Sequence, residues 1–207
     1  MIKKSNTALE RKDMNKGLLI VLSGPSGAGK GTILKEVLNK DENVCISISC
    51  TTRQPRPSEI DGVHYYFKTM AEFKTMLRNG EFLEVAPVFD NYYGTPLFAV
   101  EEKRNAGKDV VLEIDVQGAL EVRRKVADAV LVFIAPPSME ELKRRLVGRN
   151  TETEAQVEKR FSTAYYEMKF KDQYDYVVIN DEVDKAASEV IDIIDLEHKK
   201  REVGGNN

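Results

Sequence analysis

Ser23-Gly24-Pro25-Ser26-Gly27-Ala28-Gly29-Lys30-Gly31-Thr32 sets four glycines and a lysine between an apolar run, Leu18 to Leu22, and a helical pattern, Ile33 to Leu38. A glycine-rich turn between a strand and a helix has the chemistry of a phosphate cradle. Its backbone N–H groups converge on the anion, and the helix N-terminus favours negative charge. Glycine lets the backbone come close to phosphate oxygens with no Cβ in the way, and Lys30 supplies a mobile cation for the outer phosphates. The pattern GxxxxGK is met by Gly24, Gly29 and Lys30, but Gly31 stands where the strict motif has its hydroxyl, which arrives one residue late at Thr32. Gly24, Pro25, Ser26, Gly27, Ala28, Gly29, Lys30, Gly31 and Thr32 are thus the candidate phosphate contacts.

Arginines form two further sets. Arg53 and Arg56 sit three apart in the proline-stiffened loop Thr51 to Pro57, while Arg145, Arg149 and Arg160 flank a polar break at Gly148 to Thr153. Phosphoryl transfer between two anions needs several cations to offset their repulsion, and planar guanidinium forks suit phosphate oxygens. The competing reading is a set of solvated surface arginines. Glu84 and Asp115 are embedded in apolar surroundings, Phe82-Leu83-Glu84-Val85 and Leu112-Glu113-Ile114-Asp115-Val116. A carboxylate can accept two parallel hydrogen bonds from an N–H and an adjacent amino group, the edge that guanine displays and adenine does not. Taken alone, Glu84 is more often an outward-facing strand residue. Asp115, at a strand end, is a candidate metal-water ligand or substrate contact. Tyr65, Tyr66, Tyr92 and Tyr93 read equally as hydrophobic packing, and His64 and His198 have no metal-spaced partner. No serine, histidine and carboxylate grouping points to covalent catalysis.

The elements that must position these residues follow from periodicity. Leu18 to Leu22 is continuous in apolar character, as a strand buried on both faces requires, and Val44 to Ser49 follows as a second strand after a helix. Then come the arginine loop, the strand-like Val63 to Phe67, and helical spacing at Phe73, Met76 and Leu77 stopped by Gly80. Phe82 to Val88 reads as strand and Asn91 to Pro96 as a polar aromatic turn. Helix Leu97 to Asn105, strand Val110 to Ile114, helix Gln117 to Lys125 and strand Val130 to Ala135 resume the α/β rhythm. Ser138 caps the next helix with Glu141 as capping-box partner, and Val157, Phe161, Tyr165 and Met168 share one face of a long helix. Strand Tyr176 to Ile179 and a helix carrying Val183, Ala187, Val190 and Ile194 close the fold. The expectation is an α/β fold: a parallel five-stranded sheet flanked by helices, with the ligand at the carboxyl ends of its strands. Residues 17–50 and 98–200 form the core, 51–97 an inserted mixed lobe, 146–160 a helical lid, 1–16 an N-terminal extension and 201–207 a tail.

Composition narrows the partners. The chain has 207 residues with 31 basic and 34 acidic side chains, net −3, which gives no overall field for nucleic acid or an anionic membrane. Its longest apolar run, 129–135, is far short of the ~20 residues that span a bilayer, so a soluble, cytoplasmic protein is expected. Cys45 and Cys50, five apart in what reads as one strand, point to opposite faces and read as two core thiols.

Together, Ser23 to Thr32, Thr51-Thr52-Arg53-Gln54-Pro55-Arg56, Asn91-Tyr92-Tyr93-Gly94-Thr95, Ile114-Asp115-Val116-Gln117-Gly118, Ala135-Pro136-Pro137-Ser138, Gly148-Arg149 and Val178-Ile179-Asn180-Asp181 resemble guanylate kinases of the bacterial type. The resemblance runs from about Gly17 to the last helix, with the motifs in the family's order. It implies an enzyme that phosphorylates GMP, and dGMP, with ATP as donor and Mg2+ as cofactor, and it leaves room for a homodimer. Ser49, Glu84, Thr95 and Asp115 match the family's guanine contacts, while Arg53, Arg56, Tyr65 and Tyr93 match its contacts to the GMP phosphate. Lys30, Arg145, Arg149 and Arg160 match positions holding ATP phosphates and the transferring group, and Asn180 one near the adenine. Mg2+ is implied to be held mainly through phosphates and water, with Thr32 and Asp115 as protein candidates. Asn150 stands where the family more often has glycine. Three rivals remain: a GTPase switch, since Asp115-Val116-Gln117-Gly118 fits DxxG although no NKxD follows; a peptide-binding scaffold; and a kinase for another monophosphate.

Overall fold

The structure is a computed structural model and describes residues 16–88, 90–147 and 154–204. Arg149 and Asn150, with the break they sit in, lie outside the described residues, as do residues 1–15 and 205–207. In chain order the elements are β1 (Leu19–Ser23), α1 (Lys30–Lys40), β2 (Val44–Ile46), β3 (Cys50–Thr51), β4 (Tyr66–Phe67), α2 (Met70–Arg78), β5 (Phe82–Val88) and β6 (Asn91–Pro96). They continue with α3 (Leu97–Asn105), β7 (Asp109–Glu113), α4 (Val116–Lys125), β8 (Val130–Ala135), α5 (Met139–Val147), α6 (Glu154–Glu167), a 3-10 segment (Met168–Gln173), β9 (Tyr176–Ile179) and α7 (Val183–Gly204).

Five strands form a parallel sheet in the order β2-β7-β1-β8-β9. The apolar runs exist because this sheet is covered on both faces. Leu18, Ile20 and Leu22 join Ile33, Leu34 and Val37 of α1 and Ala187, Val190 and Ile194 of α7. Leu19 and Val21 point the other way, into a cluster with Val116, Ala119 and Val122 of α4 and Val100 of α3. No helix among the described residues is long and apolar enough to cross a membrane.

A second, mixed sheet has the order β4-β3-β6-β5. Here Asn91–Pro96 is a strand rather than the expected turn, paired antiparallel with both β5 and β3. Gly94 misled the reading: it is not a turn residue, because a Cβ there would lie 2.9 Å from the Phe82 ring, and glycine makes room for that ring inside the lobe. Cys45 lies in β2 and Cys50 in β3, so the two thiols belong to different sheets, not to opposite faces of one strand. The strand expected over Val44 to Ser49 stops at Ile46, and that over Val63 to Phe67 shrinks to Tyr66–Phe67. At the chain ends, Lys16 already docks on Glu101 at 2.6 Å, and α7 continues through residues 201–204, where a tail was expected.

The register of β5 shifts between Phe82 and Glu84. Such a bulge changes which face each side chain meets. Phe82 packs into the lobe with Phe73 and Cys50, Leu83 joins the cluster beneath the main sheet, and Glu84 is turned inward. The buried core of the lobe consists of Cys50, Phe73 and Phe82 among the described residues, the two rings stacked at 4.5 Å. With so little apolar burial the lobe is the weaker unit. A Phe73→Ala substitution is expected to cost about 3–4 kcal/mol locally. Hydrogen exchange should then accelerate across β3 to β6 while the parallel sheet keeps its protection; uniform acceleration would contradict this division.

Candidate active site

The loop after β1 passes over the sheet's carboxyl edge with Gly24, Gly27 and Gly29 at φ of 136°, 91° and 92°. Two of these are also close approaches. A Cβ on Gly24 would lie 2.2 Å from the Ile134 carbonyl, and one on Gly29 would lie 2.3 Å from Asn180 Nδ2. Gly29 caps α1, so the first N–H groups of an eleven-residue helix face the loop. Pro25 and Ala28 complete the turn through the bond from Ala28 N–H to Pro25 O at 3.1 Å. Asn180, just past β9, is buried; its Nδ2 donates to Ala28 O at 2.7 Å and its Oδ1 has no partner among the described residues. It braces the loop from below. Thr32 is exposed on the first turn of α1.

Lys30 bends back over its own loop, donating to Gly24 O at 2.6 Å and Pro25 O at 3.2 Å. Burial holds its pKa below the ordinary lysine value, and the carboxylates of Glu113, Glu167 and Asp115 oppose that shift. Arg160 donates to Ser26 Oγ at 2.7 Å, and Ser26 N–H reaches Glu167 at 3.4 Å. Arg145 donates to Glu141 at 2.7 Å and to the Asn180 carbonyl at 3.0 Å. Glu141 therefore grips Arg144 and Arg145 instead of closing the expected capping box, although Ser138 Oγ does accept the Glu141 N–H. Leu142 and Leu146 of α5 pack with Val157 and Phe161 of α6, as their spacing predicts, but Tyr165 is exposed and Met168 packs under the sheet. A Cβ on Gly27 would lie 2.9 Å from Leu146, so the α5–α6 pair rests directly on the loop.

Opposite the loop, a cavity of about 190 Å³ is lined by Ser47, Ser49, Tyr65, Thr95, Glu113 and their neighbours. Beside it Glu84, 5% exposed, accepts both the N–H (3.1 Å) and the hydroxyl (2.7 Å) of Thr95 on one oxygen, Oε1. Burial pushes its carboxyl pKa up, Thr95 partly offsets that, and Asp115 adds to it. Asp115 caps α4 through Gly118 N–H at 2.8 Å, and Gly118 leaves space for Glu84, whose Oε2 would be 3.2 Å from a Cβ there. At the lobe's outer rim Arg53 donates to Tyr93 Oη at 3.2 Å and stacks over Tyr65 at 5.6 Å, with Arg56 exposed beyond it.

The two regions meet at Glu113. Its carboxylate lies against Gly31, with both oxygens 3.3 Å from where a Cβ would be, acts on Lys30, and lines the opposite cavity. Sequence reasoning missed Glu113, Ser47, Glu59 and Glu167. Glu113 could have been found from its place at a strand end two residues before Asp115; Ser47, a buried hydroxyl without a partner among the described residues, left no signal.

This arrangement can hold one phosphate chain on the loop and a second phosphate under Arg53 and Arg56. The guanylate kinase family model matches residues 16–197. The chain is 51% identical to a guanylate kinase of Clostridioides difficile over 187 residues, 90% of this chain and 91% of that one. It is 54% identical to a guanylate kinase of Caldanaerobacter subterraneus over 178 residues, 86% of each. Among solved structures, the guanylate kinase of Anaplasma phagocytophilum superposes with a TM-score of 0.69 at 34% identity, covering 89% of this chain and 87% of that one. The chain belongs to the guanylate kinase family.

Proposed function

We propose that the chain transfers the γ-phosphoryl group of ATP directly to the phosphate of GMP, giving ADP and GDP, with dGMP as an alternative acceptor. The observation that carries this reading is Glu113, one carboxylate that lies against the phosphate loop and lines the cavity beside Glu84. Donor and acceptor sites separated by a single side chain suit in-line transfer. The acceptor's second pKa is ~6, so its phosphate is largely dianionic at neutral pH and needs no strong general base. Catalysis then rests on positioning and charge neutralisation.

In this reading Lys30 swings off Gly24 O and Pro25 O to the ATP phosphates, and Arg145, Arg149 and Arg160 serve the donor and the transferring group. Asn180 sits near the adenine side while bracing the loop. Ser49, Glu84, Thr95 and Asp115 read guanine, and Arg53, Arg56, Tyr65 and Tyr93 hold the acceptor phosphate. Glu84 Oε2 is the oxygen not used by Thr95 and suits the guanine N–H edge. Closure of lobe and lid excludes water that would compete as acceptor. Mg2+ arrives with ATP and, when bound, offsets phosphate charge. The chain fits it: Glu113 faces the side of Gly31 from which a hydroxyl would project in the strict motif. Thr32 and Asp115 are the other candidate partners. We place the enzyme in the cytoplasm, where Cys45 and Cys50 stay reduced.

ADP formation from ATP and Mg2+ tests the assignment with GMP, AMP, CMP and UMP as acceptors. Turnover is expected with GMP alone and should fall by about 10³-fold or more in Lys30→Ala; equal turnover with AMP, or an unaffected Lys30→Ala, would contradict it. Glu84→Gln separates function from stability. Because the folded-state pKa of Glu84 is raised, its charged form costs stability at neutral pH, a cost relieved as pH falls below the folded pKa. The uncharged amide removes that cost, so the variant should melt no lower than the parent while GMP kcat/KM falls about 10²-fold or more. Guanosine, which lacks the phosphate that itself titrates at ~6, should bind the parent more weakly as acidification protonates Glu84, starting above the ordinary carboxylate range, and Glu84→Gln should lose that pH dependence.

A further inference from the structure

Arg53 has five N–H donors, and three are engaged: Nε with Tyr93 Oη at 3.2 Å, Nη1 with Gln54 O at 2.7 Å and Nη2 with Glu59 Oε1 at 2.8 Å. One N–H remains on each terminal nitrogen. The second oxygen of Glu59 accepts the Arg56 backbone N–H at 2.7 Å, and Glu59 N–H returns to Arg56 O at 2.9 Å, closing a turn. One carboxylate thus ties a guanidinium to the backbone that carries the second arginine. The Arg56 guanidinium itself makes no hydrogen bond among the described residues.

We propose that Glu59 is the positioning residue of the acceptor-phosphate clamp, holding Arg53 and the Arg56 turn in register for a phosphate monoester. The inference rests on the reading of Arg53 and Arg56 as acceptor-phosphate contacts and adds a residue that is not among those contacts. An ordinary surface ion pair would do little here. This one is largely enclosed, with side-chain exposures of 19% for Arg53 and 12% for Glu59, and its carboxylate takes charge-assisted bonds from two residues at once. Those bonds hold the Glu59 carboxyl down at about 2, so it is ionised at any assay pH. Its negative charge opposes an incoming phosphate, leaving the clamp one net positive charge from two arginines. Orientation outweighs that loss: Tyr93, Tyr65 and Glu59 fix a long, rotamer-rich side chain before the ligand arrives, so binding does not have to freeze it. In Glu59→Gln the amide keeps one acceptor oxygen but turns an NH2 toward either Arg53 or the Arg56 N–H, donor against donor.

Calorimetric binding of GMP and of guanosine, each measured separately, isolates the phosphate's share of affinity. In the parent GMP binds more tightly than guanosine. In Glu59→Gln, GMP binding is expected to weaken about tenfold or more while guanosine binding is unchanged, so the ratio falls by the same factor. Equal weakening of both ligands would overturn the proposal, since a merely structural role moves both. Unchanged or tighter GMP binding in the variant would also overturn it, because Glu59 would then only compete with the phosphate. A parent protein that binds guanosine as tightly as GMP would overturn the functional reading and the proposal together, which distinguishes that failure from the other two.

Discussion

Two phosphate chains repel each other, and bringing them into line out of water requires positive charge placed close to oxygen atoms before the ligands arrive. The glycine loop meets the first half of that constraint. Gly24 and Gly29 lie so close to the Ile134 carbonyl and the Asn180 amide that no side chain fits at either position, and both have positive φ. The sheet, α1 and β9 are therefore fixed relative to one another by the loop's need for a bare, inward-facing backbone. The charged side chains around it rest on partners that phosphate oxygens can replace. Lys30 rests on two carbonyls of its own loop, Arg160 on Ser26, and Arg145 on Glu141 and the Asn180 carbonyl, whereas Arg53, in the lobe, keeps Gln54, Tyr93 and Glu59 and offers its two remaining N–H groups. Each cation is thus partly solvated by protein groups before a ligand binds, with side-chain exposures of 19% for Arg53 and 25% for Arg145.

Packing links these cations to the parts of the fold that carry them. Leu142 and Leu146 touch both α6 and Gly27, so the helices bearing Arg145 and Arg160 share a small core with the phosphate loop. On the other side the bulge in β5 sends Leu83 beneath the main sheet and Phe82 into the lobe. One strand therefore anchors the lobe to the core and aims Glu84 at the cleft. Burial raises the Glu84 pKa, so its charged form costs folding stability even with the two bonds from Thr95.

Much of this was legible in the sequence because it follows from local rules. The runs at Leu18 to Leu22 and Val130 to Ala135, the glycine spacing and the helical stripes each depend on neighbours a few residues apart. The misread pieces depend on partners far along the chain. Asn91 to Pro96 looks like a turn until Phe82 and Cys50 are known to flank Gly94. Cys45 and Cys50 look like one strand until β3 is seen to leave the parallel sheet. Arg104, within the helix expected over Leu97 to Asn105, is buried, bonding Gly17 O at 2.9 Å and Asp128 at 2.5 Å, partners that lie far from it in the chain. Among the site residues, the glycines and arginines stand out by type and setting, whereas Glu84, which taken alone reads as an outward-facing strand residue, is buried, and Asp115, in an apolar stretch of sequence, is exposed. Glu59 and Glu113 do not stand out, since acidic residues near arginines or at strand ends are ordinary; only their distances from Arg53, Arg56 and Gly31 give them roles.

In the proposed reading, one cleft holds a donor and an acceptor nucleotide end to end. Adenosine and guanosine joined 5′ to 5′ through five phosphates test it most directly, by calorimetric titration against the chain with Mg2+. One molecule is expected to bind per chain, more tightly than ATP or GMP alone, and that binding should be lost when both nucleotides are saturating. Binding displaced by only one of the two, or no tighter than the better single nucleotide, would contradict it.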